Sequence, residues 1–581
     1  MAETSICLRA RMATPELRGI ELPKPRFRMG RLSPDLLHVN GYEHLQTFFP
    51  TLTKIFRIAK RTYDNEIWMD TKWRITSIDC SGTSGPCNVK LQENIDSSGS
   101  LATDMKSVYM KVTHLLDPIH WIQGKYGLPK NMGLPWHHRS WMSTCQKLQD
   151  PGNQAYIETI CSYVVGRIRE EDISPHFNMF YGSFCALAKT YLYNLTEDYA
   201  SYRHERWFWN GYNRGVFKCK VQYADNSSEP VTQEEINELL CEYTSDSSSG
   251  TAELDSNIVH ENVEESALEE VTLDDFTDEN IILEKTETET EKNSETTEAS
   301  TDDDESFEMP YKIYAEMSNY PVMLILTEKN TGTMDDLFEN TEETGAEPGT
   351  DPWENRWTAW MFQVISALSC LQTLIGFTHN DLHTNNIVWT KTELTHIYYK
   401  TYDDTYFKVP TYGKIFRIID FGRSIFCVNG HMFISDDFKI GNDAEGQYAF
   451  KPLVQSFDKE VRPNFSFDLC RLAVSIIDGI FKVKPAKRKK ARILSKEPGL
   501  EIYETTSDLY NFLWRMMIDD NGQNVFIKPN GTERFPGFDL YKHIAEFVHV
   551  AIPCQQIVDP IFGRYRVKQV PSNQKVYSLF C

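Results

Sequence analysis

The sequence of 581 residues lacks long apolar segments and any leader-like N-terminus. No apolar run approaches the roughly 18 residues that a membrane-spanning helix needs. The N-terminus, MAETSICLRARM, has no hydrophobic core of a signal peptide. These two absences predict a soluble intracellular protein that does not bind a membrane.

Cysteine pairs of the CxxC type are also missing, although the chain contains 13 cysteines. An odd number of scattered cysteines in a long chain is typical of reduced thiols and not of a disulfide framework. The same spacing offers no set of ligands for zinc. We therefore expect free thiols and no structural metal site.

Basic residues are scarce in one stretch, and that stretch determines the net charge of −23. Residues 242–308 contain 24 Asp and Glu against two Lys, a charge of −22, so the rest of the chain is near −1. The acidic pI is therefore no argument about the substrate of the folded part. Residues 224–308 also have few large apolar side chains, which predicts a disordered acidic insertion.

The rest of the chain has the composition of a globular protein with two or three domains. Hydrophobic residues make up 41% of the sequence and aromatic residues 12%, which is enough for a sizeable core. Residues 1–72 begin with a cluster of basic side chains, and we interpret them as a solvated basic extension. Within it, residues 42–59 have the pattern of one amphipathic helix.

Short β-type runs begin at Trp73, and Gly82 and Gly85 lie between two of them. A glycine-rich turn lets backbone amides approach phosphate oxygens, but it is also an ordinary hairpin turn, so both interpretations stay open at this point. Lys111 lies in a later run, SVYMKV, with apolar neighbours on both sides. A lysine in such a strand is costly to bury without a partner.

A predicted helix after this strand offers a partner for Lys111. Residues 153–168 (NQAYIETICSYVVGRI) have apolar side chains at helical spacing, and Glu158 lies among them. Glu158 is either an ordinary exposed helix acid or the carboxylate that pairs with Lys111. The need of Lys111 for a carboxylate favours the second interpretation.

The best-specified helix of the chain follows the apolar strand PVMLILTEK. Its start has Asp351 as the N-cap, Pro352 at the first helical position and Glu354 at the third. The helix leads directly into the segment FTHNDLHTNNI.

That segment supplies His379, Asp381 and Asn386, and a later strand, FRII, ends in a DFG triplet that begins with Asp420. The order and spacing resemble the signature of the protein kinase superfamily, HRDLxxxN followed by DFG. The resemblance implies that Asp381 is the catalytic base and that His379 belongs to the catalytic loop. It also implies that Asn386 and Asp420 hold the Mg²⁺ that bridges the phosphates of ATP.

The resemblance extends to the part of the chain before this segment. It implies that Lys111 holds the α and β phosphates of ATP and that Glu158 is its helix partner. CSGTSGPC resembles the glycine loop, with Gly82 and Gly85 at the second and third glycine positions.

The segment LTEKN resembles the hinge of a kinase. Thr327 stands at the gatekeeper position, and Glu328 and Lys329 offer backbone groups to adenine. Further along, Asp468 in SFDLCRLAVSII resembles the buried helix aspartate that fixes the backbone of the catalytic loop.

Several positions depart from the kinase pattern. Cys80 and Cys87 replace the first glycine and the valine of the glycine loop, Asn380 replaces the catalytic-loop arginine, and His383 stands where Ser/Thr kinases have a lysine. No clear APE triplet follows the DFG. Two alternatives therefore stay open: a small-molecule kinase of the aminoglycoside or choline kinase type, and a pseudokinase scaffold.

Over residues 73–580, the acidic insertion apart, the chain most resembles the divergent Ser/Thr protein kinases of large nucleocytoplasmic DNA viruses. This resemblance implies transfer of the γ-phosphate of ATP to Ser or Thr of a protein substrate, in the host cytoplasm or the virion. A nuclear location stays open, because residues 482–492 contain seven Lys and Arg. This basic segment and residues 242–308 are candidate docking segments for protein partners, and nucleic acid is not an expected partner.

The fold expected from the resemblance is α+β and bilobal. Residues 73–326 would form a β-rich N-lobe with one main helix, interrupted by the disordered insertion at 224–308. Residues 327–581 would form the hinge and a mostly α-helical C-lobe. The expected cofactors are ATP and Mg²⁺.

Overall fold

The computed structural model describes residues 22–56, 58, 66–80, 82–93, 103–126, 142–223, 228–230, 311–454, 459–497, 500–528 and 531–581. The predicted disordered insertion, apart from 228–230, and the first 21 residues lie outside this described part. The content of 30% helix and 31% strand confirms the α+β class.

The strands follow one another from near the N-terminus to the last residues. They are β1 (Arg28–Arg31), β2 (Tyr42–Gln46), β3 (Ile67–Asp70), β4 (Trp73–Asp79), β5 (Gly85–Glu93), β6 (Thr103–His114), β7 (Phe180–Asn194), β8 (Lys218–Tyr223), β9 (Ser228–Pro230), β10 (Tyr311–Glu328), β11 (Gly332–Thr333), β12 (Ile387–Lys391), β13 (His396–Lys400), β14 (Tyr406–Pro410), β15 (Lys414–Ile418), β16 (Ile425–Val428), β17 (His431–Ile434), β18 (Ile493–Glu497), β19 (Leu500–Tyr503), β20 (Arg566–Val567) and β21 (Val576–Ser578).

The helices alternate with these strands along the chain. They are α1 (Leu52–Ile55), α2 (Pro118–Ile122), α3 (Met142–Gln149), α4 (Gln154–Glu170), α5 (Tyr199–Tyr202), α6 (Arg206–Asn213), α7 (Thr341–Thr344), α8 (Asp351–Ile375), α9 (Phe467–Ile480), α10 (Asp508–Met516), α11 (Asp539–Phe547) and α12 (Pro553–Gln556). Short 3-10 helices include Thr384–Asn386 and Asp436–Phe438.

The chain divides into two compact units. The main unit comprises residues 1–193, 205–218 and 315–581, and the small unit comprises 194–204 and 219–314. In the small unit, β8 pairs antiparallel with β9. The amide of Leu195 donates to the carbonyl of Ile313 at 2.8 Å.

The main unit contains a sheet path in the order β2, β7, β10, β6, β5, β4. The pairs β10 with β6, β6 with β5 and β5 with β4 are antiparallel. Alternate side chains such as Cys87, Val89 and Leu91 on β5 are buried, as expected for a sheet with one packed face. The register of the antiparallel pair places Lys111 of β6 directly opposite Ile325 of β10.

The N-terminal region differs from the solvated extension and the helix predicted for it. β2 pairs with β7 as an edge strand of the sheet, and Phe48 and Phe49 are buried. Helix α1 covers only Leu52–Ile55, after Pro50. Proline lacks an amide hydrogen and disfavours a continuous helix across it, so the predicted helix over 42–59 is wrong.

Helix α4 follows the prediction closely. Asn153 is its N-cap, and the side chain accepts from the amide of Ala155 at 3.1 Å. A Cβ atom at Gly166 would lie 2.8 Å from Cβ of Phe180, so glycine lets the helix approach β7. This close contact fixes the height of Glu158 above the sheet.

Helix α8 begins with Thr350 as the N-cap, one residue before the predicted Asp351, and ends at Gly376 in the left-handed conformation with φ of 60°. By length and composition it is apolar enough to cross a membrane, contrary to the expectation that the chain has no such segment. Its most apolar window is entirely buried inside the protein, as in the core helix of a globular domain. The helix delivers the chain to Phe377 and the segment that follows.

A hairpin lies between residues 391 and 414. β13 and β14 pair antiparallel, and β21 adds to β13 in parallel. The neighbouring strands β12 and β15 pair so that Ile387 lies opposite Ile418. This pairing brings the end of the FTHNDLHTNNI segment next to the start of the DFG triplet.

Candidate active site

The predicted pair of Lys111 and Glu158 is present, and Asp420 joins it. Nζ of Lys111 lies 2.6 Å from Oε1 of Glu158 and 3.0 Å from Oδ1 of Asp420. Strand β6 supplies the lysine, helix α4 the buried glutamate, and the turn after β15 the half-exposed aspartate. One ammonium group therefore joins three elements that are far apart in sequence.

Charge and burial act against each other in this cluster. Burial alone would lower the pKa of Lys111, but the carboxylates of Asp420 and Glu158 outweigh it and raise that pKa. Burial raises the pKa of Glu158 to about 7, although Lys111 opposes the rise. Burial would also raise the pKa of Asp420, but the ammonium of Lys111 holds it below its ordinary value. Lys111 therefore stays charged, with Asp420 ionised beside it.

The loop that contains His379 and Asp381 is held by a buried carboxylate. Oδ2 of Asp468 accepts from the amide of His379 and Oδ1 accepts from the amide of Asn380, both at 2.9 Å. Asp468 lies in the first turn of α9 and is fully buried. Burial raises the pKa of Asp468, and these amides oppose the rise. The loop backbone is thus fixed as the sequence predicted.

Asn380 is a neutral connector between the loop and the segment after the DFG triplet. It is fully buried with φ of 68°, a conformation that asparagine tolerates better than most residues. Its Nδ2 donates to the carbonyl of Arg423 at 2.8 Å, and its Oδ1 accepts from the hydroxyl of Tyr448 at 2.8 Å. The side chain that replaces the expected arginine therefore takes part in internal hydrogen bonds.

Asn386 points its amide nitrogen at the loop. Nδ2 donates to the carbonyl of Asp381 at 2.9 Å and to Nε2 of His383 at 3.1 Å. This use of the nitrogen leaves Oδ1 without a hydrogen-bond donor in the part of the chain that the structure describes. Burial lowers the pKa of His383, which suits a neutral ring that accepts from Asn386.

His379 supports the loop from inside. Its Nε2 donates to the carbonyl of Ile419 at 2.8 Å, one residue before Asp420. Asp420 itself has φ of 65°, in the left-handed region that side chains other than glycine rarely adopt. His379 is thus placed to position the backbone at Asp420 and does not face the cavity.

Both carboxylate oxygens of Asp381 have neighbours. The hydroxyl of Tyr541 donates to Oδ1 at 2.7 Å, and Nη1 of Arg423 lies 3.6 Å from Oδ2. Sequence reasoning missed both partners. Tyr541 is 160 residues away, and no local pattern connects it to the loop.

A cavity of about 450 Å³ lies beside these residues. Its lining contains Lys111, Glu158, Asn386 and Asp420 together with Thr327 at the end of β10. This volume is in the range of small-molecule and cofactor sites. The remaining predicted residues, His379, Asp381, Gly82, Gly85 and Lys329, do not line it.

The predicted hinge differs from the expectation at Glu328, whose backbone amide is already hydrogen-bonded within the protein. Glu328 lines the cavity, but its amide donates to the carbonyl of Met179 at 2.9 Å and is not free for a base. Its carboxylate lies 3.3 Å from Nη1 of the buried Arg417. This hydrogen bond uses one of the backbone groups of Glu328 that were predicted to face adenine, and Lys329 lies outside the cavity wall.

A disulfide joins Cys80 and Cys87, the two ends of the predicted glycine loop. The prediction of reduced thiols is wrong for this pair and for Cys427, which is also disulfide-bonded, whereas eight other cysteines in the described part form no disulfide. Pairing of Asp79 with Asn88 on β4 and β5 makes the two cysteines the next residues across the hairpin. Between them, Oγ of Ser84 accepts from the amide of Val112 at 2.9 Å and lines the cavity.

The segment after the DFG triplet is tied to the start of α4. Oδ2 of Asp436 lies 2.5 Å from Nζ of Lys147, and its Oδ1 accepts from the amide of Gln154 at 2.9 Å. Lys439 forms a second ion pair with Asp150. The carboxylate of Asp436 caps the helix that holds Glu158, which sequence reasoning also missed.

No protein-family model matches the chain, and no curated protein matches its sequence.

Proposed function

We propose that the chain is an ATP-dependent protein kinase with the bilobal kinase fold, which transfers the γ-phosphate of ATP to Ser or Thr hydroxyls of proteins. The observation that carries this proposal is the cluster of Lys111, Glu158 and Asp420 at the wall of a cavity that also contains Asn386. The cluster agrees with the kinase signature in residue type and in order along the chain.

In the proposed reaction, the acceptor oxygen bonds to the γ-phosphorus, and the bond from that phosphorus to the β–γ bridging oxygen breaks, so that ADP leaves. Asp381 takes the proton of the hydroxyl. Lys111 holds the phosphates, and Glu158 holds Lys111 in place. Such transfer needs positioning and charge neutralisation more than covalent chemistry, and fixed charges can supply both.

The residues present also fit Mg²⁺. The free Oδ1 of Asn386 and the half-exposed carboxylate of Asp420 are hard oxygen ligands at the same cavity. Mg²⁺ usually keeps several waters and takes one or two protein ligands plus substrate phosphates, so a two-residue set is sufficient. When bound, the ion supplies positive charge next to the phosphates.

One observation favours a second candidate, a nucleotide-binding scaffold without transfer activity. The disulfide between Cys80 and Cys87 closes the glycine loop, and Gly82 and Gly85 do not line the cavity. Among residues 82–87 the loop reaches the cavity through Ser84, and glycines outside the lining would contribute little to orienting the phosphates. Lys111, Glu158, Asn386 and Asp420 all line the same cavity, and for that reason the kinase proposal comes first.

The experiment that tests the proposal uses the full chain with Mg²⁺ and γ-labelled ATP, offered basic and acidic proteins and, separately, aminoglycosides and choline. An Asp420→Asn variant is the matched control, because the side chain keeps its size and loses its charge. Label on Ser or Thr that is lost in the variant supports the protein kinase. Label on the small molecules alone would indicate a small-molecule kinase, and Mg-ATP binding without any transfer would indicate the scaffold.

A further inference from the structure

Tyr541 makes the closest contact to the proposed base. Its hydroxyl lies 2.7 Å from Oδ1 of Asp381, within the range of a strong hydrogen bond to a carboxylate. On the other side, Arg423 lies 3.6 Å from Oδ2 and is itself held by Asp437, whose Oδ2 accepts from Nε at 2.7 Å. The carboxylate therefore has one neighbour on each oxygen.

The ring of Tyr541 is anchored and not placed on a loose loop. It lies in helix α11, with ring centroids 5.2 Å from Phe538 and 5.8 Å from Phe467. The guanidinium of Arg471 lies 5.2 Å from the ring centroid. These contacts hold the ring on three sides, so its hydroxyl has a fixed position.

The end of α11 is fixed as well. Nδ2 of the buried Asn464 donates to the carbonyl of Val548 at 2.6 Å and lies within reach of two more carbonyls of the last turn. A buried side chain that satisfies helix-terminal carbonyls stabilises that end of the helix. A helix attached in this way is suited to holding a side chain still, and less suited to swinging it away.

The hydroxyl of Tyr541 acts as a donor. Burial and the neighbouring carboxylate of Asp381 raise the pKa of Tyr541, so the phenol keeps its proton at neutral pH. An ionised carboxylate has about four acceptor sites, and Tyr541 and Arg423 use only part of them. Room remains on Asp381 for the hydroxyl of a substrate.

We infer that Tyr541 is a positioning residue for Asp381, holding the carboxylate in the orientation that receives the proton of the acceptor hydroxyl. This inference rests on the proposed function. It assigns to a helix near the C-terminal end of the sequence a part in the site that no kinase motif of the chain indicates. The competing role for the same contact is a gate, in which the tyrosine hydroxyl occupies the place of the acceptor and must leave before catalysis.

The test is Tyr541→Phe, which keeps the ring and removes the hydroxyl. We expect kcat to fall about tenfold to hundredfold, the range for a lost hydrogen bond to a charged group. KM for the acceptor and the Kd for Mg-ATP should stay within about twofold, since Tyr541 does not line the cavity. Tyr565→Phe is the control, because that tyrosine donates to the carbonyl of Asn355 at 3.3 Å, away from the site.

A second pair of variants separates positioning from a general loss of structure. In an Asp381→Asn background, Tyr541→Phe should cause no further loss beyond about twofold, because its partner is already altered. An equal loss in both backgrounds would mean a structural role and overturn the inference. A kcat that is unchanged, or a higher rate with a lower KM for the acceptor, would also overturn it, the latter in favour of the gate. If the unmodified chain binds Mg-ATP but transfers nothing, the proposed function fails, and this inference fails with it.

Discussion

At the scale of single residues, the site depends on one lysine shared by two unequal carboxylates. The side chain of Glu158 is 6% exposed and that of Asp420 is 45% exposed. The buried partner fixes the lysine, because an unpaired charge at that depth is costly. The exposed partner faces the cavity and can exchange its contact with Lys111 for contacts to a ligand.

Lys111→Met should separate binding from transfer. The variant keeps an apolar stem of similar length but removes the cation, so the phosphates lose a fixed positive charge. We expect the rate of transfer to fall by about 100-fold or more, with circular dichroism like that of the unmodified chain. Radiolabel transfer and isothermal calorimetry with Mg-ATP provide the two measurements.

The matched control is Lys90→Met, an exposed lysine on the neighbouring strand β5. This variant should transfer phosphate at the unmodified rate. If Lys111→Met were equally active, Lys111 would be only a structural partner of Glu158, and the central evidence for the proposed function would be lost.

At the scale of elements, two aspartates connect segments that the kinase motifs leave separate. Asp468 connects α9 to the loop of Asp381 through two amides. Asp436 connects the 3-10 helix after β17 to the first residue of α4. In both connections a carboxylate accepts hydrogen bonds from backbone amides. Such charge-assisted hydrogen bonds are directional as well as strong.

Asp436→Ala should loosen α4 without disturbing the cavity wall directly. It removes the ion pair with Lys147 and the acceptor for the amide of Gln154, and caps of this kind contribute about 1 kcal/mol. We expect faster hydrogen exchange in the first turns of α4 and a roughly tenfold lower transfer rate, because Glu158 lies one turn further on. Hydrogen-exchange mass spectrometry and a rate assay measure the two effects.

Asp508→Ala is the comparison for this variant. Asp508 also lies in the first turn of a helix, α10, and pairs with Arg488, but the pair is largely exposed and Ser507 provides the cap. Exchange in α4 and the transfer rate should be unchanged. If Asp436→Ala lost activity while the amides of α4 stayed protected from hydrogen exchange, Asp436 would not act by stabilising α4.

At the scale of the whole molecule, His176 makes the free energy of unfolding depend on pH. It is 1% exposed, its Nδ1 donates to the carbonyl of Phe416 at 2.9 Å, and its Nε2 accepts from the hydroxyl of Tyr399 at 2.7 Å. Burial, with help from Arg417, lowers the pKa of His176 from 6.5 to about 3. Between these values the unfolded chain binds the proton and the folded chain does not.

The stability that His176 contributes should therefore be complete above about pH 6.5 and fall as the pH drops toward 3, by about 1.4 kcal/mol per pH unit. His176→Asn keeps a donor for Phe416 but does not titrate. Urea unfolding at pH 7 and pH 5 should show the free-energy difference between the two proteins shrinking by about 2 kcal/mol. A free energy of unfolding of His176→Asn that changes with pH in parallel with that of the unmodified chain would contradict the prediction.

Local pattern was sufficient to predict the elements that carry the motifs. Helical spacing gave α4 within two residues of its observed end, and a lysine among apolar residues gave β6. The pairing of Lys111 with Glu158 followed, because a buried charge needs an opposite one nearby. The prediction that Asp468 fixes the loop backbone came from the family resemblance. It agrees with the observed hydrogen bonds from two loop amides.

Contacts that form only when distant elements pack together could not be predicted from the sequence. Tyr541 and Arg423 reach Asp381 only after α11 and the turn after β15 are packed, and neither lies in a periodic pattern that points to it. The disulfide depends on the register of β4 against β5, which the spacing of Cys80 and Cys87 alone does not determine. The segment of β2 was predicted to be helical because its residues suit one face of a helix as well as they suit an edge strand. Its pairing with β7 decides between the two.

The neutral side chain of Asn380 has a consequence for how such an enzyme would be controlled. The segment after the DFG triplet is attached to it by an amide, a carbonyl and the hydroxyl of Tyr448, none of which needs a phosphate. A phosphatase would therefore find no covalent switch to reverse at this position.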